Sequence, residues 1–173
     1  KNEFNFLIDK ITSNITLYAK WEVIPEGKPI SSQDQFYNLV NGTTTYEAND
    51  KFYLVNDLDF TGFNWDGSLF TEDPVRLHSF HFNGNNKTIS NITFESPAQA
   101  GLFPRLSGGS ITNLKLDNIH TKGATQGAVL VGRILNGSTV LIKDITITNS
   151  SVVTSAVGTG SVIGHVQGAQ AKS

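Results

Sequence analysis

Short runs of alternating apolar and polar residues fill most of the chain, and one run recurs. ISNITFES at 89–96, ITNLKLDN at 111–118 and IKDITITN at 142–149 each carry apolar residues at their first and fourth positions and a polar residue at the third. VNDLDFTG at 55–62 is a weaker copy. The copies start at Val55, Ile89, Ile111 and Ile142, so the spacings are 34, 22 and 31 residues. A second unit interleaves with them: AGLFPRL at 100–106, AVLVGRI at 128–134 and GSVIGHV at 160–166. Two strand types alternating at a period of roughly 20–35 residues predict a solenoid, in which each coil stacks on the one before it. The expected fold is all-β: a right-handed parallel β-helix of about four coils, with successive strands about 4.8 Å apart and insertions confined to the corners.

Stacking assigns a role to each position of the echo. Ile89, Ile92 and Phe94, then Ile111, Leu114 and Leu116, then Ile142, Ile145 and Ile147 are expected to point inward as apolar ladders. Asp57, Asn91, Asn113 and Asp144 share the third position and are expected to form one polar ladder at a corner, satisfying backbone groups that the bend leaves unpaired. One helix is expected, over 32–41. Ser31 or Ser32 can cap its start, Asp34 sits near its positive end, and Phe36, Leu39 and Val40 share a face, with Gly42 just beyond. Such a helix before a run of strands makes a lid. Residues 1–29 read separately, as a tail strand followed by a linker broken at Pro25, Gly27 and Pro29; residues 30–173 form the β-helix domain.

Two resemblances refine this division. The tail ends in Leu17, Tyr18, Ala19, Lys20 and Trp21, a closing strand that resembles the end of an internalin-type B repeat, a small β-grasp module carried in tandem on bacterial surface proteins. Over about 30–168, the residues Phe82, Gly84, Asn85, Lys87, Thr88, Ile89 and Asn91, followed by Gly101, Leu102, Phe103 and then Gly132, resemble the GLUG-motif β-helix family. The chain departs from that pattern at Pro104 and Ala128, which concerns a local turn. Together the resemblances imply a segment of a large modular bacterial protein, secreted or on the cell surface, with further domains of the same chain on both sides. The implied role is a non-catalytic adhesion or presentation scaffold that contacts a host glycan or host surface protein through its corner loops. The alternative they imply is an accessory region ahead of the catalytic domain of an IgA-protease-type zinc metallopeptidase or a carbohydrate-active enzyme.

Composition narrows the chemistry. The 173 residues include no Cys, so disulfides, thiolate metal sites and Cys nucleophiles are excluded. Met is also absent and the chain opens on Lys1, which reads as an excised piece. The net charge of −2 carries no basic block, so no nucleic-acid partner is expected. No apolar run reaches bilayer length, so no membrane insertion is expected either. Asp57, Asp59, Asp66, Glu72 and Asp73 are the carboxylates a β-helix enzyme would need, but Asp57 falls on the expected ladder and the rest read as solvated. His78, His81, His120 and His165 form no H-E-x-x-H pattern. No catalytic residue, cofactor or metal is therefore expected. The sequons at Asn14, Asn41, Asn86, Asn91, Asn136 and Asn149 follow from an Asn/Thr-rich repeat. The loop GFNWDGSLF sets Trp65 between Asn64 and Asp66, beside Phe63 and Phe70. It has the chemistry to stack and hydrogen-bond a sugar, although a Trp folded over the open end of the first coil is the preferred reading. The C-terminal end is expected to be uncapped and adhesive, because solenoid ends expose unpaired strand edges.

Overall fold

The computed structural model describes residues 23–41, 43–65, 78–95, 99–122, 125–154 and 158–168. These form a β-solenoid of about three turns with one helix. In chain order the elements are β1 (Lys28–Ile30), α1 (Gln33–Val40), β2 (Lys51–Leu54), β3 (Leu58–Asp59), β4 (His81–Asn83), β5 (Thr88–Glu95), β6 (Gln99–Ala100), β7 (Phe103–Leu106), β8 (Ser110–Lys122), β9 (Gln126–Ala128), β10 (Val131–Ile134), β11 (Leu141–Thr148), β12 (Ser151–Val153), β13 (Thr159–Gly160) and β14 (Ile163–Val166). The boundary drawn at residue 29 falls inside β1, which pairs in parallel with β2.

Every strand pair among the described residues is parallel, as stacking of successive coils requires. One large sheet holds two columns. β1, β2, β4, β8 and β11 follow one another in the first, and β3, β5, β8 and β12 in the second. β8 belongs to both because it bends within its length. The facing wall consists of two smaller sheets, β7–β10–β14 and β6–β9–β13. With three rungs each, they limit the complete turns to about three rather than the four the echoes suggest.

Beside the first rung of that wall lies α1. Ser32 caps it by accepting a hydrogen bond from the Gln35 backbone N–H, and Phe36, Leu39 and Val40 make its buried face. The ring of Phe36 meets those of Phe60, Phe82 and Phe103 at 6.1, 5.6 and 6.1 Å, all edge to face. The core is therefore aromatic under the helix and aliphatic beyond it, where Ile89, Leu116, Leu114, Ile111 and Leu130 are buried. One buried polar side chain fastens the lid. His78 Nε2 lies 2.9 Å from the Val40 carbonyl oxygen and so donates to it, leaving Nδ1 to accept from the Tyr46 hydroxyl at 2.6 Å.

The interleaved unit stacks as the repeat requires. Phe103, Val131 and Ile163 are in register, as are Arg105, Arg133 and His165, and Leu106, Ile134 and Val166. Its glycines have a steric cause. A Cβ on Gly132 would lie 2.7 Å from the Pro104 carbonyl oxygen and 3.1 Å from that of Ala100. Only a residue without a side chain lets the two small sheets approach this closely. Pro104 forms part of that contact through its own carbonyl, and β7 stacks in register beside β10.

Candidate functional site

The polar residues singled out in the sequence lie at two bends, not one. Asn91, Asn113, Asn118, Asp144 and Asn149 all have left-handed backbone, with φ of 62, 53, 56, 56 and 50°. Asn and Asp tolerate this region better than any other residue with a Cβ, which explains their recurrence where the wall turns. Register then sorts them. Ile142 lies over Ile111 and Ile145 over Leu114, so Asp144 is the counterpart of Asn113. Ile89, however, lies over Leu116 and Ile92 over Ile119, which makes Asn91 the counterpart of Asn118 rather than Asn113. The echo at 89–96 is thus offset by five residues from the echo at 111–118. β8 carries the same pattern twice, five residues apart, as Ile111, Asn113 and Leu114 at the first bend and Leu116, Asn118 and Ile119 at the second, while the GNNK turn at 84–87 adds two residues to the first corner of the coil below.

The early copy is displaced as well. Leu58, not Val55, takes the inward position beside Ile89, and Val55 is exposed. Asp57, in the connection between β2 and β3, accepts a hydrogen bond from the Thr88 backbone N–H at 2.7 Å and so joins two coils. So the four residues expected to form one ladder divide into Asn113 with Asp144 at the first bend and Asn91 at the second, while Asp57, between β2 and β3, bonds to Thr88 rather than to any of the three.

The second bend carries a directional chain of hydrogen bonds. Asn118 Nδ2 donates to Asn91 Oδ1 at 2.7 Å, and Asn91 Nδ2 donates to Asp59 Oδ1 at 2.7 Å. At its other end His120 Nε2 contacts Asn118 Oδ1 at 2.8 Å, so this nitrogen donates, while Nδ1 meets the Ser151 hydroxyl at 2.8 Å. The chain links four coils and ends in a carboxylate, where the last acceptor is strongest. Asn91, followed by the Thr61 backbone and hydroxyl, holds Asp59 below the ordinary aspartate range. Asp117 is lowered likewise by the Thr148 hydroxyl and then the Asn149 amide. At the first bend Asn113 Nδ2 donates to Asn83 Oδ1 at 3.0 Å, and Asn85 Nδ2 to the Leu54 carbonyl at 3.1 Å. Sequence reasoning missed Asp59 because its signal is out of phase: Asp59 faces Ser90 and reaches Asn91 from the neighbouring position.

Trp65 sits in an aromatic group. Its ring lies 5.2 Å from Tyr37, 5.3 Å from Phe60 and 6.4 Å from Phe63, and it is half-buried. These rings bridge α1 and the lead-in coil, at the end where a cap is needed. Asn64 is exposed beside it. Asp66, Phe70, Glu72 and Asp73 lie outside the described residues, as do the tail strand at 1–22 and Gly42. On the outer face of the large sheet, a groove of about 460 Å³ is bordered by Tyr53, Val55, Asn85 and Lys87 on one side and by Val23 to Pro25 on the other. A second groove of about 310 Å³ lies beyond Pro25, beside Lys51, His81, Asn83 and Ser110. Among the described residues, no three His, Asp or Glu side chains gather where they could hold a metal ion. No helix among them is long and apolar enough to cross a membrane.

No protein-family model matches the sequence, and no curated protein matches it at a significant level. Among solved structures it is similar to a crystal structure of a proposed immunoglobulin A1 protease from Bacteroides ovatus, at 13% identity and a TM-score of 0.47. That similarity covers 83% of this chain, which spans 63% of the length of the other.

Proposed function

We propose that the domain is a non-catalytic scaffold of a modular bacterial protein, secreted or on the cell surface, that presents corner loops to a host glycan or host protein. The observation that carries this reading is where the polar side chains are used. Asp57, Asp59 and Asp117 each accept hydrogen bonds that hold coil to coil. Asp59 and Asp117 are displaced toward the charged form, the opposite of what a general acid requires. The polar groups left at the surface are turn chemistry: half-buried Lys87 and Asn85 in the GNNK turn beside Tyr53, and exposed Asn64 beside Trp65. An amphipathic ring flanked by amide and ammonium groups suits recognition of a sugar or a polar protein loop.

The GLUG and B-repeat resemblances support the modular, extracellular part of the proposal. They also support the second reading, an accessory region beside a catalytic domain in a longer chain. A glycan and host-protein binding array tests the proposal, using Trp65→Ala and a Tyr53→Ala/Lys87→Ala double variant as controls. Specific binding lost in one variant would locate the recognition surface. No binding to any glycan or protein at high micromolar concentration would sink the recognition role.

A further inference from the structure

The wall of smaller sheets carries a column of basic side chains. Arg105, Arg133 and His165 lie in register on three successive coils, with backbones about 4.8 Å apart. In the neighbouring small sheet Gln99 is in register with Gln126, and Gly158 takes the corresponding place on the third coil. On the first of these coils the two columns are joined, since Arg105 Nε donates to Gln99 Oε1 at 2.7 Å. On the second they are not. Arg133 Nε and Gln126 Oε1 are both buried, with no hydrogen-bond partner among the described residues. Nor does Arg133 enter the ion pairs formed there, which use Lys28, Lys51, Lys122 and Lys143. Two polar atoms have thus given up hydration without a replacement, which is costly. On the third coil a Cβ at Gly158 would lie 3.5 Å from Gln126 Cγ and 3.8 Å from His165 Cβ. Gln126, Arg133 and His165, all half-buried, therefore border one spot beside a residue with no side chain to fill it.

From this geometry we infer that the spot binds the carboxylate of an acidic sugar. The donors and acceptors present select the class. Arg133 offers a planar fork that matches a carboxylate, and the His165 imidazole on the next coil is a further donor. Gln126 Oε1 can only accept, so the ligand must also bring a hydroxyl. A carboxylate with hydroxyls close by is the pattern of uronic and sialic acids. A neutral sugar or a bare anion meets only half of it. The surface is neither that of Trp65 nor the Tyr53 groove, so this inference and the recognition role proposed above can fail separately.

The test titrates sialyllactose and trigalacturonic acid into the full chain, followed by NMR at about 0.15 M salt, where exposed charges are largely screened. Lactose and galactotriose, which lack the carboxylate, are the controls. The expected result is that at least one acidic sugar binds about tenfold or more tighter than its neutral partner, with shifts centred on 126–133 and 158–165. Arg133→Gln should lower that affinity about tenfold or more, and Arg133→Lys less, because it keeps the charge but loses the fork. Gln126→Leu should weaken binding as well, and it carries the test with Arg133→Lys if circular dichroism shows Arg133→Gln unfolded. Lys143→Gln, which removes an exposed charge elsewhere, should leave binding unchanged. Equal binding of the neutral sugars, shifts elsewhere on the surface, or no binding of either acidic sugar would each overturn the inference. So would acidic-sugar binding that survives in a folded Arg133→Gln variant and is lost in Tyr53→Ala/Lys87→Ala, which would place recognition in the groove instead.

Discussion

The two ends of the solenoid solve the same problem differently. At the N-terminal end, α1 and a shell of aromatic rings lie across the first coil, and Phe36, Phe60 and Phe82 are buried. At the C-terminal end, in-register residues of the same chemical type stay half-covered because no coil lies beyond them among the described residues. The lesson is that burial here belongs to position in the stack, not to residue type. Ile145 and Leu114 occupy equivalent sites on adjacent coils, yet only Leu114 is sealed. In a solenoid each coil's stability is largely its contact with its neighbours, so the molecule should be firm at one end and loose at the other.

The largest effect expected comes from breaking the closed end. Phe36→Ala removes the ring that joins α1 to Phe60, Phe82 and Phe103 across two coils and should cost about 3–5 kcal/mol, measured by urea denaturation. Comparing Leu114→Ala with Ile145→Ala sharpens the contrast. The first should cost about 2–5 kcal/mol and the second less than half as much, because its site already faces solvent. Equal losses at the two sites would mean that burial does not follow position in the stack. Next comes Gly132→Ala, whose methyl has nowhere to go between Pro104 and Ala100. It should cost about 1–3 kcal/mol through overpacking. Gly137→Ala meets no neighbour, and at a φ of 74° it should lose only the backbone term of about 1 kcal/mol.

Smaller effects separate the two jobs of the bend residues. Asn91→Gly keeps the left-handed backbone but deletes the side-chain link between Asp59 and Asn118, at about 1 kcal/mol; Asn91→Ala should lose that link and add about 1–2 kcal/mol of backbone strain. The smallest effect is in pH. Asp59 and Asp117 have lowered pKa values in the folded state, so their contribution is present above the unfolded aspartate pKa. It disappears as pH falls through the lower folded value. Stability should therefore decline on acidification through the aspartate range, and Asp59→Asn should flatten part of that slope in a denaturation series across pH. Amide exchange gives the same comparison without mutation: β11–β14 should exchange faster than β8.

How much of this could be read beforehand differs between elements. Helix α1 was legible from end to end, since Ser32, the spacing of Phe36, Leu39 and Val40, and the N-terminal placement of Asp34 are local signals. The interleaved unit was legible too, and its three copies stack in the expected order. The polar ladder was legible only as a set of residues. Asn91, Asn113 and Asp144 were recognised as corner residues, but which lies over which depends on a turn at 84–87 that shifts one column by two residues against the other. Because strand faces alternate with period two, a shift in register reassigns partners without altering the local pattern. Asp59 was missed for the same reason. Trp65 was legible as a choice between a cap and a sugar platform, and its aromatic neighbours come from segments distant in sequence.

What the sequence determined by itself was the class of architecture: strands of two kinds, alternating and repeated, with left-handed Asn and Asp where the wall must bend and Gly where two walls must touch. These are short-range requirements of backbone conformation and side-chain volume, written residue by residue. Only the tertiary structure decided how many turns close, which corner residue hands its hydrogen bond to which, and which equivalent isoleucines are sealed. Each of those depends on the coil above and the coil below, because partner and burial are properties of the stack that no single strand carries.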